Sequence, residues 1–199
     1  MSQDAHPALP HAPAPRPTAP LWRLALVFLL TLGALQWGWA SLRGTPAERL
    51  VIDQATVGTA AALVRWVTPE VAAQARGSRI QAPGGGINVL NGCEGTEVLF
   101  LLWAALLAAP LSWRWRVQGA LLGALWVFAL NQLRLLALFY SYRDDRALFN
   151  LLHGLVAPGA LVAAALVFVA WVYRQHDRQG ARLHGAAGMA AADVTAGAT

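Results

Sequence analysis

Three side chains in this sequence have types suited to chemistry and settings that do not suit their polarity. Cys93, the sole cysteine of the 199 residues, sits between Gly92 and the pair Glu94-Gly95, just ahead of the apolar run Val98 to Leu111. Arg134 lies inside the apolar run Val117 to Tyr140, and His153 stands at the mouth of the run Leu155 to Tyr173. A thiolate is a nucleophile, and an adjacent cation lowers the pKa of its thiol. An imidazole titrates near neutral pH and can take the thiol proton. A fixed guanidinium can stabilise the oxyanion formed when a carbonyl is attacked. Taken singly, each residue has a blander reading: an inert buried thiol, a snorkelling arginine, a polar helix cap. Taken together, they spell acyl transfer.

The neighbouring polar residues are read more simply. Asn131 lies one turn before Arg134 on the same helix face and is expected to orient it. Glu94 and Glu97 are expected to be solvated at a helix start, where the macrodipole favours negative charge, and not to form a catalytic carboxylate pair. One cysteine and one well-placed histidine are too few ligands for a zinc site, so no metal or other cofactor is expected. His6 and His11 belong to a proline-rich tail and are taken as incidental.

Composition says what holds these residues. Hydrophobic residues make up 57% of the chain and charged ones 13%, where a soluble domain is nearer half apolar and a quarter charged. That balance points to a polytopic membrane protein. All fifteen basic residues are arginine, and the net charge is +5. They are scattered between apolar runs and form no stripe, so no nucleic-acid partner is expected.

The elements follow in order. Residues 1–20 carry six prolines and read as a disordered tail. Leu24 to Ala40 is the first membrane candidate, closed by Trp37 and Trp39; a cleaved signal peptide is its rival reading. Val51 to Val67 holds Asp53, Gln54 and Arg65 and reads as an amphipathic helix at the membrane surface. Arg79 to Gln81 and Ile87 to Leu90 read as a short hairpin around Pro83-Gly84-Gly85-Gly86. Three more spans follow: Val98–Leu111, Val117–Tyr140 and Leu155–Tyr173, with Pro158 in the last one's first turn. Residues 176–199 read as a disordered tail. The expected fold class is all-α: a polytopic transmembrane bundle over residues 21–175, with an extracytoplasmic β-hairpin and a surface helix. Small residues such as Ala104, Ala105 and Gly123 are expected to let the last three spans pack closely around a substrate cleft.

Parity relates the three chemical residues. Cys93 precedes the second span, Arg134 lies late in the third and His153 opens the fourth, so all three fall on one membrane face. Arg134 is six residues below Tyr140, about 9 Å at 1.5 Å per residue, within snorkelling reach. Orientation is nearly undetermined by charge: with the N-terminus inside, seven arginines fall on each side, while seven acidic residues fall outside and three inside. We read the N-terminus as inside and the three residues as facing out.

Asn91-Gly92-Cys93-Glu94-Gly95, Asn131-Gln132-Leu133-Arg134 and Leu148-Phe149-Asn150-Leu151-Leu152-His153 together resemble the exosortase/archaeosortase family. The likeness covers about residues 85–173 and is closest to the short exosortase H type. It implies a membrane cysteine peptidase/transpeptidase with Cys93 as nucleophile, Arg134 as transition-state stabiliser and His153 as general acid/base. It implies membrane-anchored protein substrates with a C-terminal sorting signal, an acceptor nucleophile of unknown identity, and a bacterial inner membrane with the site facing the periplasm. Classical members have more spans than the four found here, which argues against a direct role in exopolysaccharide export. The other reading is a non-catalytic membrane assembly factor, in which Arg134 and His153 serve a partner helix or lipid headgroups.

Overall fold

The computed structural model describes residues 20–90 and 92–196, with side chains through Arg182. Apart from Pro20, the expected N-terminal tail lies outside the described residues, as do His6, His11 and Asn91.

The chain is mostly helical, and it divides into a bundle and a small sheet-bearing cap. Helix α1 (Leu21–Ser41) packs along α4 (Thr96–Ala108), which in turn packs against α5 (Trp113–Asp144) and α7 (Ala157–Ala196). Val98, Leu102, Leu106, Val127, Leu161, Ala165 and Val172 form the bundle core. Gly123 permits this closeness: a Cβ there would stand 2.5 Å from Leu102 Cδ2 and 3.2 Å from Phe168. The spans are therefore packed directly on one another, and the expected cleft between α4, α5 and α7 is filled by their own side chains. An apolar recess of about 110 Å³ lies between α1, α4 and α7, lined by Phe28, Leu101, Ala105, Val162 and Leu166.

Four helical segments are long and apolar enough to cross a membrane: Leu21–Ser41, Pro46–Val67, Trp113–Asp144 and Arg146–Arg182. These are the helices of a membrane protein. Helix α4 has only 13 residues, about 20 Å at 1.5 Å per residue, and it stops ahead of Pro110 instead of reaching Leu111.

The cap is built by residues 46–90. Pro46–Val67 is one continuous helix in three parts: α2 (Pro46–Arg49), a π-helical stretch (Leu50–Gly58) and α3 (Thr59–Val67). It starts with proline at the first helical position, where the missing N–H has no partner to lose. Within the π stretch the Thr56 hydroxyl donates to the Val51 carbonyl, five residues back, at 2.8 Å. One face of the segment (Ile52, Val57, Ala60, Ala61, Val64) packs on Ile80 and Ile87 of the sheet and on Leu135, Leu138 and Phe139 of α5.

The sheet has three antiparallel strands in order β1 (Gln74–Arg76), β2 (Arg79–Ala82), β3 (Gly85–Asn88). The expected two-stranded hairpin therefore gains a strand, and its second strand begins two residues early. Ala82 pairs with Gly85, leaving Pro83-Gly84 as the turn. Proline cannot take positive φ, and Gly84 has φ 84°, the combination a type II turn demands. Gly86 is fixed by space, since a Cβ there would overlap the Ile80 carbonyl. Arg143 of α5 clamps the turn, donating to the carbonyl oxygens of Pro83 at 2.8 Å and Gly85 at 3.5 Å.

Beyond α5 the chain reverses at Asp145, whose carboxylate accepts from the amides of Ala147 and Leu148 at 2.8 and 3.1 Å and so caps α6 (Arg146–Leu151). A π-helical stretch, Leu152–Val156, joins α6 to α7. The sequence reading ends ordered structure at 175, whereas α7 continues through Ala196. Alanine is the strongest helix former, and no proline follows Pro158 to stop the run.

Candidate active site

The sequence-nominated residues meet where the cap joins the bundle. Cys93 is half-buried in the turn that leads into α4. Its amide donates to the Leu90 carbonyl at 2.9 Å. Its own carbonyl accepts from Asn131 Nδ2 at 3.2 Å, and Asn131 is fully buried on α5. Gly95, the N-cap of α4, has φ 86°, and a Cβ there would lie 3.1 Å from Asn131 Cγ. Glycine is needed here for its backbone and for its lack of a side chain. The group that approaches the Gly95 backbone is thus a side chain of α5. Asn131 does not orient Arg134; it holds the thiol-bearing turn.

Arg134 Nη2 lies 4.0 Å from Cys93 Sγ. The guanidinium Nε is buried with no hydrogen-bond partner among the described residues, as are both amide atoms of Gln132 and Asn131 Oδ1. A charge in that setting usually has a partner or a task, and among the described residues the Cys93 sulfur is its hydrogen-bond contact.

His153 lies on the π-helical stretch, exposed, with its ring stacked on Phe149 at 5.5 Å and nearly parallel. It and Cys93 line one cavity of about 180 Å³, whose walls include Arg79, Ile87, Leu138, Tyr142 and Phe149. No hydrogen bond among the described residues joins the imidazole to the thiol. Phe149 fixes the ring plane, and Tyr142 meets Phe149 edge-on at 5.2 Å. Arg146 lies over the Tyr142 ring at 3.5 Å.

Glu94 corrects the sequence reading most sharply. It is not solvated but 6% exposed. Its Oε1 accepts from Trp39 Nε1 at 3.2 Å and from the Thr96 hydroxyl at 2.8 Å, and its Oε2 accepts from the Gly92 amide at 2.6 Å. A buried carboxylate is tolerable when its lone pairs are filled, and here the donors come from three places in the chain. Trp39, which also meets Phe100 edge-on at 6.4 Å, ties the end of α1 to the Cys93 turn. Nothing local in the sequence marks this pair, since its members are 55 positions apart. Glu97 is exposed, where Glu94 was expected to be as well.

The thiol's titration also differs from expectation. Burial pushes the Cys93 pKa above its ordinary value. Arg134 pulls the other way, as expected of a cation, but burial, with Glu94 and Glu97 adding repulsion, outweighs it. Cys93 is therefore a neutral thiol near neutral pH, and its chemistry needs a base at the moment of attack. Among the described residues no group of three or more histidine, cysteine, aspartate or glutamate side chains is gathered in a metal-holding arrangement.

The chain matches no protein-family model, no curated protein sequence and no solved structure.

Proposed function

We propose that the chain is a membrane-embedded cysteine peptidase/transpeptidase of the exosortase kind, cutting C-terminal sorting signals of exported, membrane-anchored proteins. The observation that carries this reading is the contact of Arg134 Nη2 with Cys93 Sγ at 4.0 Å beside a cavity that also takes in His153.

His153 removes the thiol proton as Cys93 Sγ attacks a backbone carbonyl carbon of the substrate. The C–O π electrons move to oxygen, and the oxyanion develops against the Arg134 guanidinium. Collapse breaks the C–N bond, the departing amine takes the proton from His153, and a thioester remains on Cys93. An acceptor nucleophile or water, deprotonated by His153, attacks the thioester and regenerates the thiol.

We place α1, α4, α5 and α7 across a bacterial inner membrane and the sheet in the periplasm. Sheet edges carry unpaired backbone groups that hydrocarbon cannot satisfy, which supports keeping the three strands outside the lipid. The segment Pro46–Val67 packs on that sheet, which supports a position at the surface despite a length sufficient to cross.

The test is the set of protein C-termini in cells carrying the wild-type chain or Cys93→Ala, read by mass spectrometry. New C-termini upstream of an apolar segment, present only with the intact thiol, are expected. Identical C-termini in both would reduce the chain to a non-catalytic assembly factor.

A further inference from the structure

At the end of the bundle remote from Cys93, two recesses meet along the seam between α5 and α7. The outer one, about 470 Å³, has walls of mixed polarity that include the polar side chains of Ser112, Arg114, Gln118, His176 and Gln179. The inner one, about 460 Å³, is apolar, lined by Leu121, Leu122, Trp171 and Val172. Trp115 and Gln118 belong to both, so a polar mouth opens into an apolar groove.

Helix geometry sets the depth. His176 follows His153 by 23 positions, roughly 34 Å at 1.5 Å per residue, close to the roughly 30 Å thickness of bilayer hydrocarbon. The polar mouth therefore sits at the opposite boundary layer from the Cys93 cavity, beside the tryptophans Trp113 and Trp115. Trp171 lies five residues deeper than His176, about 8 Å into the apolar layer.

Donors outnumber carboxylates at the mouth. Arg114 is exposed and has no ion-pair partner among the described residues. Gln179 Oε1 accepts from Trp115 Nε1 at 2.9 Å, which leaves its Nε2 as the donating end. The edge of Trp115 also meets the His176 ring at 6.0 Å, so one tryptophan sets both α7 side chains. Ser112 makes no side-chain cap bond to α5, and no acidic residue occupies the first turn, so the positive end of the helix dipole is unopposed. Across residues 112–118 and 174–182 there are five arginines against the single carboxylate of Asp177. That carboxylate sits 3.5 Å from His176 Nδ1.

Donors and positive charge at a membrane boundary, continuous with an apolar groove running inward, match an amphipathic anion. We infer that the α5–α7 seam binds one anionic glycerophospholipid, its phosphate at Arg114, His176 and Gln179 and an acyl chain along Leu121, Leu122 and Trp171. Basic pockets between membrane helices take anionic headgroups for the same reason. The inference needs only that the helices lie in a bilayer, and it stands whether or not Cys93 is a nucleophile.

The full chain, reconstituted in nanodiscs holding equal phosphatidylglycerol and phosphatidylcholine, is released and weighed by native mass spectrometry. One retained phosphatidylglycerol, at several-fold preference over phosphatidylcholine, is expected. Arg114→Gln should weaken retention about five-fold, and Leu122→Trp should weaken it by filling the groove. Arg76→Gln, exposed on β1 and away from both recesses, should leave it unchanged. His176→Gln gives a second reading should Arg114→Gln fail to fold, as checked by circular dichroism. Equal retention of the two lipids, or retention indifferent to both Arg114→Gln and His176→Gln, overturns the proposal. So does displacement of the bound lipid by millimolar inorganic phosphate, which would make the mouth a site for a soluble anion.

Discussion

Asn131 donates its amide hydrogen to the carbonyl oxygen of Cys93 at 3.2 Å, from a position on α5 with no solvent exposure. The thiol-bearing turn is therefore fixed by the helix that also carries Arg134, three residues on. Replacing Asn131 with leucine removes the donor and leaves a part-buried carbonyl without a partner, which costs about 1–3 kcal/mol. Thermal unfolding in detergent should fall accordingly. Substrate processing should fall further than stability does, because the sulfur loses its register with Arg134.

The two glycines beside Cys93 should respond differently to alanine. Gly95→Ala meets Asn131 Cγ at 3.1 Å and also holds φ 86°, so strain of about 1–3 kcal/mol is joined by a clash. Gly92→Ala has φ 94° but only an ordinary 3.5 Å contact with Glu97 Oε1. Unfolding midpoints should rank wild type above Gly92→Ala, and Gly92→Ala above Gly95→Ala.

The reactivity of Cys93 with a small alkylating agent should rise with pH, with an inflection above that of an ordinary thiol. Burial raises the thiol pKa, Arg134 opposes the rise and Glu94 adds to it. Removing the cation in Arg134→Gln must therefore move the inflection further up and lower the neutral-pH rate. Removing the negative charge in Glu94→Gln must move it down. A shift in the reverse sense for either variant would contradict this electrostatic ordering.

In the proposed cycle His153 acts as a general base on a neutral thiol. His153→Ala should lower the rate of processing about 10²–10⁴-fold, while alkylation of Cys93 by a small reagent at high pH stays near the wild-type rate. Arg134→Gln should lower kcat about 10²–10³-fold with little change in KM, as expected when a contact is made mainly in the transition state.

The sequence exposes what depends on local pattern. Apolar runs mark α1, α5 and α7 because hydropathy sums over neighbours, and helix reversal alone brings Cys93, Arg134 and His153 to one end of the bundle. Long-range relations were not legible. The burial of Glu94 depends on Trp39, 55 positions away, and the role of Asn131 depends on a turn 38 positions before it. Strand β1 is Gln74-Ala75-Arg76 with every residue exposed, so it carries no alternation and exists only because β2 pairs with it. The sequence shows a cation able to lower the thiol pKa, but the direction follows from burial, which depends on the fold.

The most direct measurement is the intact mass of the purified chain after turnover with a processed membrane substrate and rapid acid quench. A covalent increment equal to the upstream substrate fragment is predicted on the wild type, released by neutral hydroxylamine as a thioester should be, and absent from Cys93→Ala. An unmodified wild-type chain during active processing, with Cys93→Ala processing at the same rate, would contradict the account.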